Sequence, residues 1–112
     1  MNGYDKAEAI RYILAHLDKK EVKAVADSLE EYVSLIIDAD QAYMLENDVL
    51  DEEGYAGDGY YDDDDALEYI LAKMEQSVEL TPDRAMALVV LVSRYLELNQ
   101  EFLEQSGLVS YE

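Results

Sequence analysis

Carboxylates that could bind a cation are concentrated in the stretch GYAGDGYYDDDDALEYI, which spans residues 54–70. Hard divalent cations such as Ca²⁺ bind oxygen ligands, and Asp58, Asp62 and Asp64 are close enough in the chain to supply them. An EF-hand is excluded, because no register places carboxylates and the central glycine at the positions that its loop requires. The metal hypothesis is therefore a looser oxygen site on these three aspartates, and no cofactor other than a divalent cation is predicted.

The same stretch could instead bind a basic protein surface. Acids in the first turn of a helix interact favourably with its dipole, but one or two suffice, because adjacent like charges repel. The tyrosines before the acids lack helical spacing, and tyrosine is enriched at the energetic centres of protein interfaces. The predicted partner-binding residues are Tyr55, Asp58, Tyr60, Tyr61, Asp62, Asp63, Asp64 and Asp65.

The net charge of −19 is distributed unevenly along the chain. Residues 1–23 carry five bases and four acids, whereas residues 24–112 carry three bases and 23 acids, and no base lies between Lys23 and Lys73. Such a surface repels nucleic acid and anionic lipid, and it accelerates encounter with basic proteins. We therefore expect a basic partner and no direct nucleic-acid binding, while solubility alone is the alternative explanation of the charge.

No segment of the sequence indicates a membrane or an oxidising compartment. The longest apolar run, AMALVVLV at residues 85–92, is too short for a bilayer span of about 20 residues. The N-terminal residues show no signal-peptide pattern. The chain has no cysteine, so disulfides and thiolate metal sites are excluded. We expect a cytoplasmic protein without membrane contact.

Catalytic chemistry has little support in the residue types. His16 is the single histidine, and no phosphate-binding, nucleophile or zinc motif occurs. We predict no catalytic residue. Asp40 needs an explanation, because it stands within the apolar stripe of the second predicted helix. If Asp40 is buried it needs a polar partner, which Tyr12, Tyr95 or Arg94 could supply.

Apolar residues recur every three or four positions in four segments, which predicts four helices in one domain spanning residues 1–112. Asp5, Asp18 and Asp62 are the expected N-caps of the first three helices, and Thr81 followed by Pro82 begins the fourth. The predicted helices span residues 6–17, 19–47, 63–78 and 82–106. Because the first and third connections are short, the predicted fold is an all-α antiparallel four-helix bundle with one long acidic Gly/Tyr loop between helices two and three.

The fourth predicted helix contains ALVVLV at residues 87–92, which is apolar on every side. Such a segment is typical of a helix that is covered in the centre of a bundle or at a second interface, so we expect a homodimer. The charge predicts a non-enzymatic acidic interaction or regulatory protein that binds a basic protein surface, such as a nucleic-acid mimic or an inhibitor. The alternatives are a helical homodimer with a structural role and a carboxylate-based divalent-metal-binding bundle or enzyme.

Overall fold

A computed structural model of the chain describes residues 5–47 and 62–105, and it confirms the all-α fold class. These residues form α1 (Lys6–His16), a 3₁₀ segment (Lys23–Ser28), α2 (Leu29–Glu46), α3 (Asp63–Ser77) and α4 (Pro82–Gln105), with no β-strand among them. α1 and α3 each pack against both α2 and α4. The helices therefore surround a shared core. That neighbouring helices run antiparallel stays a prediction.

Local capping chemistry explains where the helices begin. The Asp5 carboxylate accepts a hydrogen bond from the Glu8 backbone N–H (3.1 Å), and the Thr81 hydroxyl accepts one from the Arg84 N–H (3.3 Å). Each cap satisfies a backbone donor that lacks an intrahelical partner. α1 and α3 each end one residue before the predicted position. α4 extends to Gln105, and its predicted end at residue 106 lies outside the described residues.

The second predicted helix differs most from the structure. In place of one helix over residues 19–47, the 3₁₀ segment Lys23–Ser28 precedes α2, and Val25 within this segment has non-helical backbone angles (φ −119°, ψ 16°). Asp18 caps no α-helix, because residues 19–22 form a turn, in which its carboxylate accepts from the Lys20 N–H (3.0 Å). Val22 and Val25 are both buried at a spacing of three. That spacing suits a 3₁₀ helix as well as an α-helix, which is why the apolar pattern did not reveal the break.

The core of the described residues is apolar and draws on every helix. The largest fully buried side chains include Ile13 of α1, Ile36 of α2, Ile70 of α3 and Leu91 of α4. A smaller cluster, formed by Tyr43, Met44, Ala66, Tyr69 and Leu96, joins the end of α2 to the beginning of α3 and to α4. No helix within residues 5–47 and 62–105 is long and apolar enough to cross a membrane.

Candidate protein-interaction site

The N-terminal end of α3 carries the acids that the sequence singles out. Asp62 is the N-cap, and its Oδ1 accepts from the backbone N–H groups of Asp64 (2.9 Å) and Asp65 (3.2 Å). Asp63, Asp64 and Asp65 are exposed. Across the described ranges, no basic side chain approaches these carboxylates within 4.0 Å. One aspartate therefore caps the helix, and three present uncompensated charge to solvent.

The acidic surface continues along α3. Glu68 and Glu75 lie four and eleven residues after Asp64, which places all three on one exposed side of the helix. We call these three residues the α3 acidic face. At 1.5 Å per residue, the face extends over about 16 Å of helix.

Basic residues do not neutralise the α3 acidic face. Lys73, the single base of α3, places its ammonium 5.4 Å from the centre of the Tyr69 ring. The bases of α1 and α4 form ion pairs with acids outside α3. These pairs are Lys6–Asp38 (2.7 Å), Arg11–Glu8 (3.9 Å), Arg84–Asp27 (3.2 Å), Arg94–Glu21 (3.1 Å) and Arg94–Glu97 (3.1 Å). None of these ion pairs involves an acid of α3, so the negative charge of the α3 acidic face is not neutralised by them.

Half of the predicted partner-binding set lies outside the described residues. Tyr55, Asp58, Tyr60 and Tyr61 all belong to residues 48–61. The structure therefore places Asp62, Asp63, Asp64 and Asp65 together at one helix end, and it tests neither Asp58 nor the three tyrosines.

The metal hypothesis retains two of its three ligands in the described part, because Asp58 is not included. Asp62 already uses Oδ1 to cap α3. Within residues 5–47 and 62–105, no group of three or more histidine or acidic side chains is placed to hold a metal ion. A cation site on Asp62 and Asp64 would need ligands from outside these ranges.

Asp40 occupies a different environment from these surface acids. It is 2% exposed on α2, and it accepts a hydrogen bond from the Tyr95 hydroxyl of α4 at 2.6 Å. Tyr12 instead donates to Glu101 (3.4 Å), and Arg94 forms its ion pairs elsewhere. Because the side chain is enclosed and engaged by a phenol, we assign this pair to a connection between α2 and α4 across the core and not to a reaction with solutes.

His16 has a local role at the end of α1. Its ring stacks on the Tyr12 ring, with the centroids 4.2 Å apart, and Nδ1 lies 2.8 Å from the Tyr12 carbonyl oxygen. The side chain is exposed, and it forms no ion pair with an acid of residues 5–47 or 62–105. The contacts of His16 that the structure describes are therefore with Tyr12, one turn earlier in the same helix.

Tyr69 links α3 to the end of α2. Interaction of its hydroxyl with the Glu46 carboxylate, followed by burial, raises the pKa of Tyr69 from 10.0 to about 12. This interaction favours the neutral phenol. Folding raises this pKa, so the stabilisation is complete below pH 10 and is lost as the pH rises through about 12.

Glu46→Gln is expected to move the pKa of Tyr69 back towards its ordinary value, because the charged acceptor is removed. NMR titration of ¹³C-labelled tyrosine measures this shift, with Tyr69→Phe assigning the signal. Tyr43 is the internal control, since its pKa is raised mainly by burial and without Glu46. An unchanged Tyr69 midpoint in Glu46→Gln would show that the glutamate does not hold the phenol.

No protein-family model, curated protein or solved structure matches this chain. The site is therefore described from its own geometry. The sequence analysis identified the acids at residues 62–65 but did not include Glu68 and Glu75. Their helical spacing from Asp64 is nevertheless present in the sequence DDDDALEYILAKMEQ.

Proposed function

We propose that this chain is a non-enzymatic acidic interaction protein that binds a basic protein surface, as a nucleic-acid mimic or an inhibitor does. The observation that carries the proposal is the exposed α3 acidic face together with Asp63 and Asp65 at its N-terminal end, none of which forms an ion pair with a described residue. No reaction is assigned to the protein.

The arrangement favours recognition of charge on a partner. The helix already orders the backbone that carries these carboxylates, so binding has to order only their side chains, which limits the entropy lost in the complex. Opposite charge on the partner accelerates association and makes binding depend on salt. A basic surface that binds nucleic-acid phosphates carries the complementary charge, so a protein of that kind is the partner class we favour.

We predict that neutralising the α3 acidic face weakens binding to a basic partner more than neutralising acids elsewhere on the protein does. We expect Glu68→Gln/Glu75→Gln to lower the affinity for a lysine-rich helical peptide by about fivefold to tenfold at low salt. Isothermal titration calorimetry in two salt concentrations measures the effect. The affinity of the unaltered protein for the peptide should fall as the salt concentration is raised.

The matched control removes the same charge from α2. Glu30 and Glu31 are exposed, and neither has an ion pair within the described residues. Glu30→Gln/Glu31→Gln should therefore change the affinity for the peptide by no more than about twofold, because this variant alters the net charge of the protein but not the α3 acidic face. Equal losses in both variants would mean that the peptide senses net charge alone, and the proposal of a binding face on α3 would be wrong.

A further inference from the structure

The first half of α4 presents apolar side chains to solvent. Met86 is 71% exposed and Val89 is 43% exposed. They lie three residues apart on one side of the helix, with half-buried Val90 beside them. We call these three residues the α4 apolar face. On the opposite side of the same segment, Leu88 and Leu91 are fully buried. Because Val89 is exposed, ALVVLV is not covered on every side within the described structure, contrary to the expectation from the sequence.

A depression adjoins this face where α3 ends and α4 begins. Its volume is about 680 Å³, and its apolar wall consists of Val78, Leu80 and Ala85. Ala85 precedes Val89 by one helical turn, so the two residues lie on the same side of α4. The apolar face and the depression therefore follow one edge of the helix and provide a longer apolar track than either alone.

The charge around this track is acidic. Glu75 and Glu79 line the depression, and Asp83 lies in the first turn of α4. All three are exposed, and none forms an ion pair with a described residue. Arg84, which directly follows Asp83 in the chain, is directed instead to Ala24 and Asp27. The apolar track is thus bordered by uncompensated negative charge.

We propose that the α4 apolar face and the neighbouring depression form the docking site for a cationic amphipathic segment of the basic partner. Its apolar side chains would cover Met86 and Val89, and its lysine or arginine side chains would lie against Glu75, Glu79 and Asp83. The inference rests on the proposed function and names the surface through which an acidic protein of this kind would hold its partner. Methionine suits this role, because its flexible side chain adapts to different apolar surfaces.

Charge decides between this occupant and a second copy of the chain. A second copy would bring another acidic border and another net charge of −19 to the interface. Like charges brought together across an interface disfavour association. A basic segment instead gains both apolar contact and opposite charge, so the borders of the track favour it.

The test compares two peptides of identical composition, a lysine/leucine peptide with helical amphipathic spacing and a scrambled peptide without it. Met86→Gln/Val89→Gln should weaken binding of the amphipathic peptide by about tenfold, because its apolar contact is removed. Binding of the scrambled peptide should stay unchanged. Fluorescence anisotropy gives both affinities, and thermal unfolding checks that the variant is folded.

Leu45→Gln is the matched control, since Leu45 is the remaining large exposed apolar residue of the described chain and lies on α2. It should leave both affinities unchanged. If both peptides bind equally and Met86→Gln/Val89→Gln has no effect, the docking site is wrong while the proposed function stands. If neither peptide binds at low salt, the proposed function fails and the docking site with it. A dimer in analytical ultracentrifugation that Met86→Gln/Val89→Gln dissociates would identify a second copy as the occupant and overturn the proposal.

Discussion

Arg84→Met is expected to lower the midpoint of thermal unfolding by about 8 °C or more. The Arg84 side chain is 24% exposed, and its guanidinium donates to the Ala24 carbonyl (3.0 Å), Asp27 (3.2 Å), Ser28 (3.4 Å) and the Tyr32 hydroxyl (2.9 Å). These acceptors belong to the 3₁₀ segment and to α2, whereas Arg84 belongs to the first turn of α4. One side chain therefore connects three elements.

Removing the guanidinium leaves several of these acceptors without their donor. Tyr32 is buried, and the guanidinium carbon also lies 5.6 Å from the centre of its ring, so the loss includes a cation–π contact. The hydrogen bond with Tyr32, followed by that with Asp27, raises the pKa of Arg84, so the charge persists at every pH at which the fold is studied. Arg84→Lys should recover only part of the stability, because an ammonium cannot reproduce the planar set of donors.

Arg94→Met is the matched control for Arg84→Met. Arg94 lies on the same helix and forms two ion pairs, but its partners Glu21 and Glu97 are exposed. Exposed ion pairs contribute little, so the midpoint should fall by about 2 °C or less. Amide hydrogen exchange adds a local readout, since Arg84→Met should increase exchange in Lys23–Ser28 more than in α1. Equal thermal shifts in both variants would contradict the role assigned to Arg84.

The Arg84 contacts also explain why the break before α2 escaped prediction. Caps at Asp5, Asp62 and Thr81 depend on residues two or three positions away, so local sequence reveals them. Arg84 contacts residues more than fifty positions earlier in the chain. Such a contact can favour a 3₁₀ segment over an α-helix without altering the apolar pattern of the segment itself.

In the candidate site, too, some features follow from the local sequence and others depend on contacts between residues that are distant in the chain. The negative charge of residues 62–65 is a property of the sequence, and so is the helical spacing of Glu68 and Glu75. The partners of the few bases depend on tertiary packing, as does the side of α4 that remains uncovered. An apolar run such as ALVVLV predicts burial on average, but it does not state which of its residues face solvent.

The contacts that stabilise the fold lie apart from the surface proposed to bind. Arg84 and the Asp40–Tyr95 pair connect α4 to the 3₁₀ segment and to α2, whereas the α3 acidic face and the α4 apolar face are exposed. Surface substitutions away from buried contacts usually change stability little. The binding variants should therefore remain folded, and a lost affinity in them can be read as a lost contact.

Tyr95→Phe is expected to lower the free energy of unfolding by about 1–3 kcal/mol, because the hydrogen bond to a buried carboxyl group is removed. Tyr95 is 1% exposed, and its hydroxyl lies 2.6 Å from Asp40 Oδ2, which is a distance typical of an O–H donor and a carboxylate. The substitution leaves the ring in place, so the packing of α4 should change little. Urea denaturation measures the loss, and Tyr12→Phe, which removes an exposed hydroxyl, should cause a smaller one.

A double-mutant cycle with Asp40→Asn separates this hydrogen bond from other effects of the two substitutions. A neutral amide costs less to leave without a donor than a carboxylate does. Tyr95→Phe should therefore cost less in the Asp40→Asn background, with a coupling of about 1–2 kcal/mol. A coupling near zero would show that the carboxylate and the phenol are stabilised independently by their surroundings. A coupling of the expected size would show that the hydroxyl and the carboxyl group stabilise each other across the core between α2 and α4.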